Sequence, residues 1–283
     1  MNVAIAMLKK FYTSVFLTSL LLTGMLVAVN KEALADYQPP PKKEDKEEKH
    51  TSANISRGCP TIYEETNELT IQAKTGLVAL APQVHHTGKT TLTHPTFVWY
   101  VPDVKPYQVS LELYQRQPEG KPQSVWNWES TTKQGIMSVS LPETQPPLEA
   151  GQQYYWQVRV QCDPAHPTSW LIAEANLEVV ATPADLASQL AQAPNSIAKA
   201  DIYADAGIWY EALAIAITNS NSDRMDLQLL ASLAEIEAQE EGIEQIQDPK
   251  ELDKTYSYRL NKVIEAERQK TISYRIDSMS DNQ

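Results

Sequence analysis

The stretch LEAGQQYYWQVRVQC, residues 148–162, decides how the rest of the chain reads. Tyr154, Trp156, Val158 and Val160 alternate with Tyr155, Gln157, Arg159 and Gln161. Successive side chains of a strand point to opposite faces, so this period predicts one buried and one solvated face. Working outward, LTIQA (69–73), GLVALAP (76–82), TFVWYV (96–101), YQVSLELYQ (107–115), SVWNWES (124–130), GIMSVSL (135–141) and LIAEANLEVV (171–180) have strand composition. Pro, Gly and Asp clusters separate them at the short spacing of a β-sandwich. In TFVWYV, Phe97, Trp99 and Val101 are expected to face the core, with Val98 and Tyr100 facing solvent.

After Val180 the period becomes helical. Thr182-Pro183 predicts a start for PADLASQLAQA, with helices following from about Ser196 to Ala206 and from about Ile208 to Thr218. A fourth helix, after Ser222-Asp223, carries Leu229, Leu230, Leu233 and Ile236 on one face. Asp248-Pro249 could open a fifth, with Tyr256, Leu260, Val263 and Ile264 as a thin apolar stripe. The expected fold class is mainly β with C-terminal helices: a β-sandwich at 58–182, a helical cap at 183–240, and a polar tail at 241–283 holding one helix or none.

The first 35 residues read as a secretory signal. Lys9 and Lys10 precede the apolar run Val15 to Val29, and Ala33-Leu34-Ala35 supplies a small-x-small cleavage site. That run is short for a membrane span, so cleavage after Ala35 is expected, with an uncleaved anchor as the alternative. Residues 36–57 hold three prolines, a mixed-charge run and little that is apolar, the composition of a disordered tether. The 283-residue chain carries 24 basic and 36 acidic residues, a net charge of −12. This excludes the basic footprint of nucleic-acid binding and disfavours anionic lipid surfaces. The expectation is an exported protein of the periplasm or extracellular space, with no stable membrane insertion once the signal is removed.

The chain has two cysteines, Cys59 and Cys162. An even count in an exported protein favours a disulfide over two buried thiols or reactive ones. Cys162 and His166 stand four apart in CDPAHP, but a nucleophile–base pair also needs an oxyanion donor and an orienting group, so a surface turn is the better reading. His85, His86 and His94 could supply zinc ligands across a hairpin. Adjacent strand residues point opposite ways, which leaves His85 and His94 as weak metal candidates and loop histidines as the favoured reading. No nucleotide-loop, zinc-protease or nucleophile-elbow motif occurs, and no carboxylate spacing marks an acid/base pair. No cofactor is expected. Trp126 and Trp128 on one strand face would form a sugar-stacking platform if exposed and core if buried; core is favoured. These two, with Trp209 and Tyr210, are the candidate interaction residues.

Three resemblances follow. Leu148, Gly151 and Tyr154, ahead of the Trp156/Val158/Val160 alternation, resemble the penultimate strand of fibronectin type III and Ig-like sandwiches. There such a tyrosine closes a structural corner by bonding to upstream backbone. YADAGIWYEALAIAI (203–217) resembles a single tetratricopeptide-type hairpin at Tyr203, Gly207, Trp209, Glu211 and Ala212; one repeat cannot bury its own face, which implies packing on neighbours. Finally, HPTFVWYVPD (94–103), LEAGQQYYWQVRVQCDP (148–164) and ADIYADAGIWYEALA (200–214) together resemble the cyanobacterial exported family known as domain of unknown function 928. That family carries no established catalytic residues. The functional expectation is a non-enzymatic protein-interaction or scaffold module docking on another envelope protein. A carbohydrate-binding module and an unrecognised hydrolase are the alternatives.

Overall fold

The computed structural model describes residues 36–40, 59, 76–163, 165, 170–219 and 224–280, the last nine of these by backbone alone. The signal segment, most of the tether, the LTIQA strand and His166 lie outside the described residues.

Among the described residues, eight strands form two sheets. The first has the order β1 (Val78–Ala79), β3 (Thr96–Val101), β6 (Gly135–Ser140). The second has the order β2 (Gly88–Thr90), β8 (Trp170–Val179), β7 (Gln153–Gln161), β4 (Gln108–Gln115), β5 (Gln123–Thr131). All pairings are antiparallel except β2 on β8, which places Gly88 beside Leu177 in parallel. The inner faces meet through aromatic rings: Phe97 lies 5.5 Å from Trp156 and 6.2 Å from Trp126, and Trp99 lies edge-on to Trp128 at 5.7 Å. On β7 the alternation behaves as read, with Tyr154, Trp156, Val158 and Val160 buried and the residues between them partly exposed.

On β3 it does not. Val98 and Tyr100, expected to face solvent, are as buried as Phe97 and Trp99. The first sheet is covered on its outer side, with Lys270 from the last helix sitting over the Tyr100 ring at 5.9 Å. The unbroken apolar runs LVALA and FVWYV mark this double burial, the signature of strands packed on both faces.

The cover is helical: α1 (Ala184–Gln192), α2 (Ser196–Asp205), α3 (Trp209–Thr218), α4 (Met225–Glu241), a 3₁₀ turn (Ile243–Gln245), α5 (Pro249–Leu252) and α6 (Tyr256–Ser280). The first helix starts one residue later than its sequence signal, with Pro183 at the cap position. Asn195 Oδ1 caps α2 by accepting from Ala198 N–H at 2.9 Å. Gly242, at φ 61°, closes α4 in the left-handed conformation that glycine adopts without Cβ strain. Tyr256, Leu260, Val263 and Ile264 are all buried, so the thin stripe of the tail is the inner face of α6, packed along α4.

The tether expectation also needs correction at its start. Residues 36–40 lie against the helices: Tyr37 is 1% exposed and its ring meets Trp209 edge-on at 4.8 Å. Tyr37 N–H donates to Ser232 Oγ (2.9 Å) and Gln38 N–H to the Ala204 carbonyl (3.1 Å). One tyrosine at the head of a polar segment gives it an anchor that bulk composition hides. Gly207, at φ 71°, makes room, because a Cβ there would stand 2.8 Å from the Gln38 carbonyl.

Candidate functional site

Where β1 leaves the first sheet, its backbone turns toward β2 and loses strand partners. Buried amides and carbonyls must be satisfied elsewhere, and side chains of the helices supply the partners. Trp209 Nε1–H donates to the Leu80 carbonyl at 2.9 Å. Tyr256 Oη lies 2.7 Å from the Ala79 carbonyl and 2.9 Å from the Ala81 carbonyl. Tyr210 Oη donates to the Asn176 carbonyl and accepts from Trp156 Nε1–H, both at 2.8 Å, which ties α3 to two strands of the second sheet.

Three glutamates complete the joint. Glu237, fully buried on α4, accepts the Gln83 N–H on one oxygen (2.7 Å) and the Val84 N–H on the other (2.8 Å). Glu211 Oε1 accepts from Thr91 N–H (2.6 Å), Thr91 Oγ1 (2.7 Å) and Leu92 N–H (3.2 Å). Glu241 caps α6, taking Tyr256 N–H at 2.6 Å and Ser257 N–H at 3.0 Å. Burial pushes the Glu237 carboxyl up to about 8: the two amides favour its charge, but desolvation outweighs them and Glu241 and Glu240 add repulsion. Glu211 is raised for the same first reason, against its bonds to Thr91 and Thr90. Burial also lowers Arg259, which lies over the Tyr256 ring at 5.9 Å.

Glu237 and Glu241 had no sequence signal, since isolated acids on helices read as solvated faces; Glu211 stood out only as a position of the hairpin resemblance. The candidate interaction residues fall in the same interior. Trp126 is 8% exposed, Trp209 and Tyr210 less, and Trp128 is half-buried against Trp99. A flat sugar platform at Trp126 and Trp128, and a partner-facing Trp209/Tyr210 pair, do not fit that burial.

Cys59 and Cys162 are joined in a disulfide, 103 residues apart in sequence. The backbone N–H of Cys59 bonds the Asp103 carboxyl, which burial raises. His85 is exposed in a left-handed turn at φ 58°, and His94 uses its ring nitrogens on Thr93 Oγ1 and the Gln145 carbonyl, both at 3.1 Å. Among the described residues no three His, Cys, Asp or Glu side chains gather as a metal site. At the corner, Glu149 N–H donates to Tyr154 Oη at 3.0 Å; Leu148 is buried, and Gly151 turns at φ 83°.

The outer face of the second sheet has no described helix over it, and its side chains are partly exposed. There Tyr114 and Tyr155 stack at 4.9 Å and 11°, and the Arg116 guanidinium lies 5.2 Å from the Tyr155 ring while bonding Asn176 Oδ1 at 2.7 Å. Tyr114 Oη bonds Glu112, and Arg159 pairs with Glu112 at 3.5 Å.

Fold and joint define a two-sheet β body clasped on one side by helices and stapled by a disulfide. The chain belongs to the family described as Domain of Unknown Function (DUF928), which it matches over residues 53–250. The match takes in both the sheets and the helices through the start of α5, and leaves α6 outside. No curated protein matches the chain. No helix among the described residues is long and apolar enough to cross a membrane.

Proposed function

We propose that the protein is an exported, non-enzymatic interaction module of the cell envelope, docking another envelope protein on the outer face of its five-stranded sheet. The observation that carries this reading is the division of its aromatic residues. Trp99, Trp126, Trp156, Trp209 and Tyr210 are taken up by the interior, whereas Tyr114, Tyr155 and Arg116 are grouped on a sheet face that no described helix covers. Tyrosine and arginine are the side chains that protein interfaces favour, because they combine contact area with directional hydrogen bonds. The disulfide supports export, since such bonds persist in oxidising compartments.

The sandwich is of the fibronectin type III and Ig-like kind in this reading. A three-stranded sheet facing a five-stranded one, together with the Tyr154 corner bond, supports it. The α2–α3 pair serves as a lone tetratricopeptide-like hairpin whose concave side is spent on packing, with Ala204, Ala212 and Ala216 buried.

The test is a crosslinked pulldown of the tagged mature protein from its own envelope, repeated with Arg116→Glu and Tyr155→Ala. A stoichiometric protein partner captured by the wild type and lost from both variants is expected. Folded, exported protein that captures nothing, or a partner indifferent to both changes, would overturn the reading.

A further inference from the structure

β5 ends the five-stranded sheet: it pairs with β4, and no second strand lies beside it among the described residues. Such an edge presents a row of unpaired amides and carbonyls, and natural proteins blunt it with lysines, prolines or short length. β5 has none of these guards. It runs nine residues, Gln123–Thr131, with no Lys or Pro and a single charge, Glu129. The register irregularity opposite Leu113 and Tyr114 falls near its start, which leaves Trp126–Thr131 as a regular run. Asn127, Glu129, Ser130 and Thr131 are exposed.

We infer that two copies of this chain pair antiparallel through β5, about a two-fold axis at Trp128, joining two five-stranded sheets into one of ten. Charge and register select a second copy as the occupant. The chain carries a net charge of −12, yet this edge holds one charge in nine residues, so two copies approach here with little repulsion between the strands. Directly opposite residues of an antiparallel pair share a face, so the axis must pass through a residue. At Glu129 it would set two carboxylates against each other. At Asn127 only Trp126 to Trp128 of the regular run would pair, against Trp126 to Ser130 with the axis at Trp128. At Trp128 it places each Glu129 opposite the partner's Asn127, carboxylate to amide, twice by symmetry. It also sets the two half-buried Trp128 rings side by side. This self-pairing uses the sheet edge rather than the outer face, so it does not depend on the envelope partner proposed above.

Sedimentation equilibrium of the purified mature protein tests the pairing, run on wild type, Asn127→Glu and Asn127→Lys. Both substitutions fall on an exposed side chain. A wild-type dimer is expected, weakened about tenfold by Asn127→Glu and tightened by a similar factor by Asn127→Lys, because each change acts at two cross-strand pairs. A monomer at every concentration would overturn the inference. So would a dimer whose Kd responds to neither variant, or moves the same way with both. The pulldown is read separately, since Arg116 and Tyr155 lie on and beside β4 and β7, whereas Asn127 stands on the edge strand.

Discussion

β3 and β7 lie in opposite sheets of one sandwich, and both place aromatic or valine side chains at every second position. On β7 the residues between are Tyr155, Gln157 and Arg159, and they remain partly exposed. On β3 they are Val98 and Tyr100, and they are buried. The inner faces meet across the same core, so the contrast comes from outside: helices lie over the first sheet and nothing described lies over the second. The same architecture covers one sheet and leaves the other without a described cover. A joint that consumes Trp209, Tyr210, Glu211, Glu237 and Tyr256 in bonds to backbone is what separates the two sides.

Breaking the covered side is expected to cost most. Trp209→Ala removes a fully buried ring and its bond to the Leu80 carbonyl, and should destabilise by about 4 kcal/mol in chemical denaturation. The uncovered sheet has its own staple: Cys162→Ser, which unties the end of β7, should lower stability by roughly 3 kcal/mol by the same measurement. The comparison itself is sharpened by a matched pair. Tyr100→Ser on β3 should cost about 3 kcal/mol, because it opens a cavity beneath α6, while Gln157→Ser on β7 should stay within about 0.5 kcal/mol. Equal losses would erase the distinction between the two faces.

A smaller effect carries a sign. The Glu237 carboxyl titrates at about 8 in the folded protein against 4.5 for an unperturbed glutamate, so between these values the folded chain holds a proton that the unfolded chain has released. Stability attributable to this group is present below the lower value and is lost as pH rises through the upper one. From about pH 5 to about pH 7 the loss should be about 2 kcal/mol, and Glu237→Gln should flatten that slope. Tyr37, Tyr256, Glu240 and Glu241 act on the same carboxyl and remain in the variant, so the difference between the two pH profiles isolates Glu237.

How much of this was legible in the sequence follows from what each signal can encode. Period two located β3 to β8 because each is at least six residues long with a consistent inner face. β2 escaped it: three residues, Gly-Lys-Thr, cannot show a period, and their place beside β8 is set by parallel pairing far along the chain. The four-residue spacings in α6 marked its buried stripe even though the helix is polar overall. Val98 and Tyr100 were read with their strand when their own apolar character was the clue. Glu237 was invisible, because a carboxylate that serves backbone amides about 150 residues away has no local pattern. Tyr37 was hidden by the Pro-rich, charged segment it heads. The cysteines were readable as a pair from their even number and the signal-like pattern of the first 35 residues, without any geometry.

The central claim is that helices and sandwich form one cooperative body, with the helices closing the side of the first sheet. Native-state hydrogen exchange of the intact protein, resolved to peptides, tests it most directly. The account predicts that the amides of β3 exchange at the slowest rate in the chain, and that those of α3, α4 and the first half of α6 share that rate. Helical peptides that exchange orders of magnitude faster than β3 would contradict it, for the cover would then open while the sandwich stayed folded.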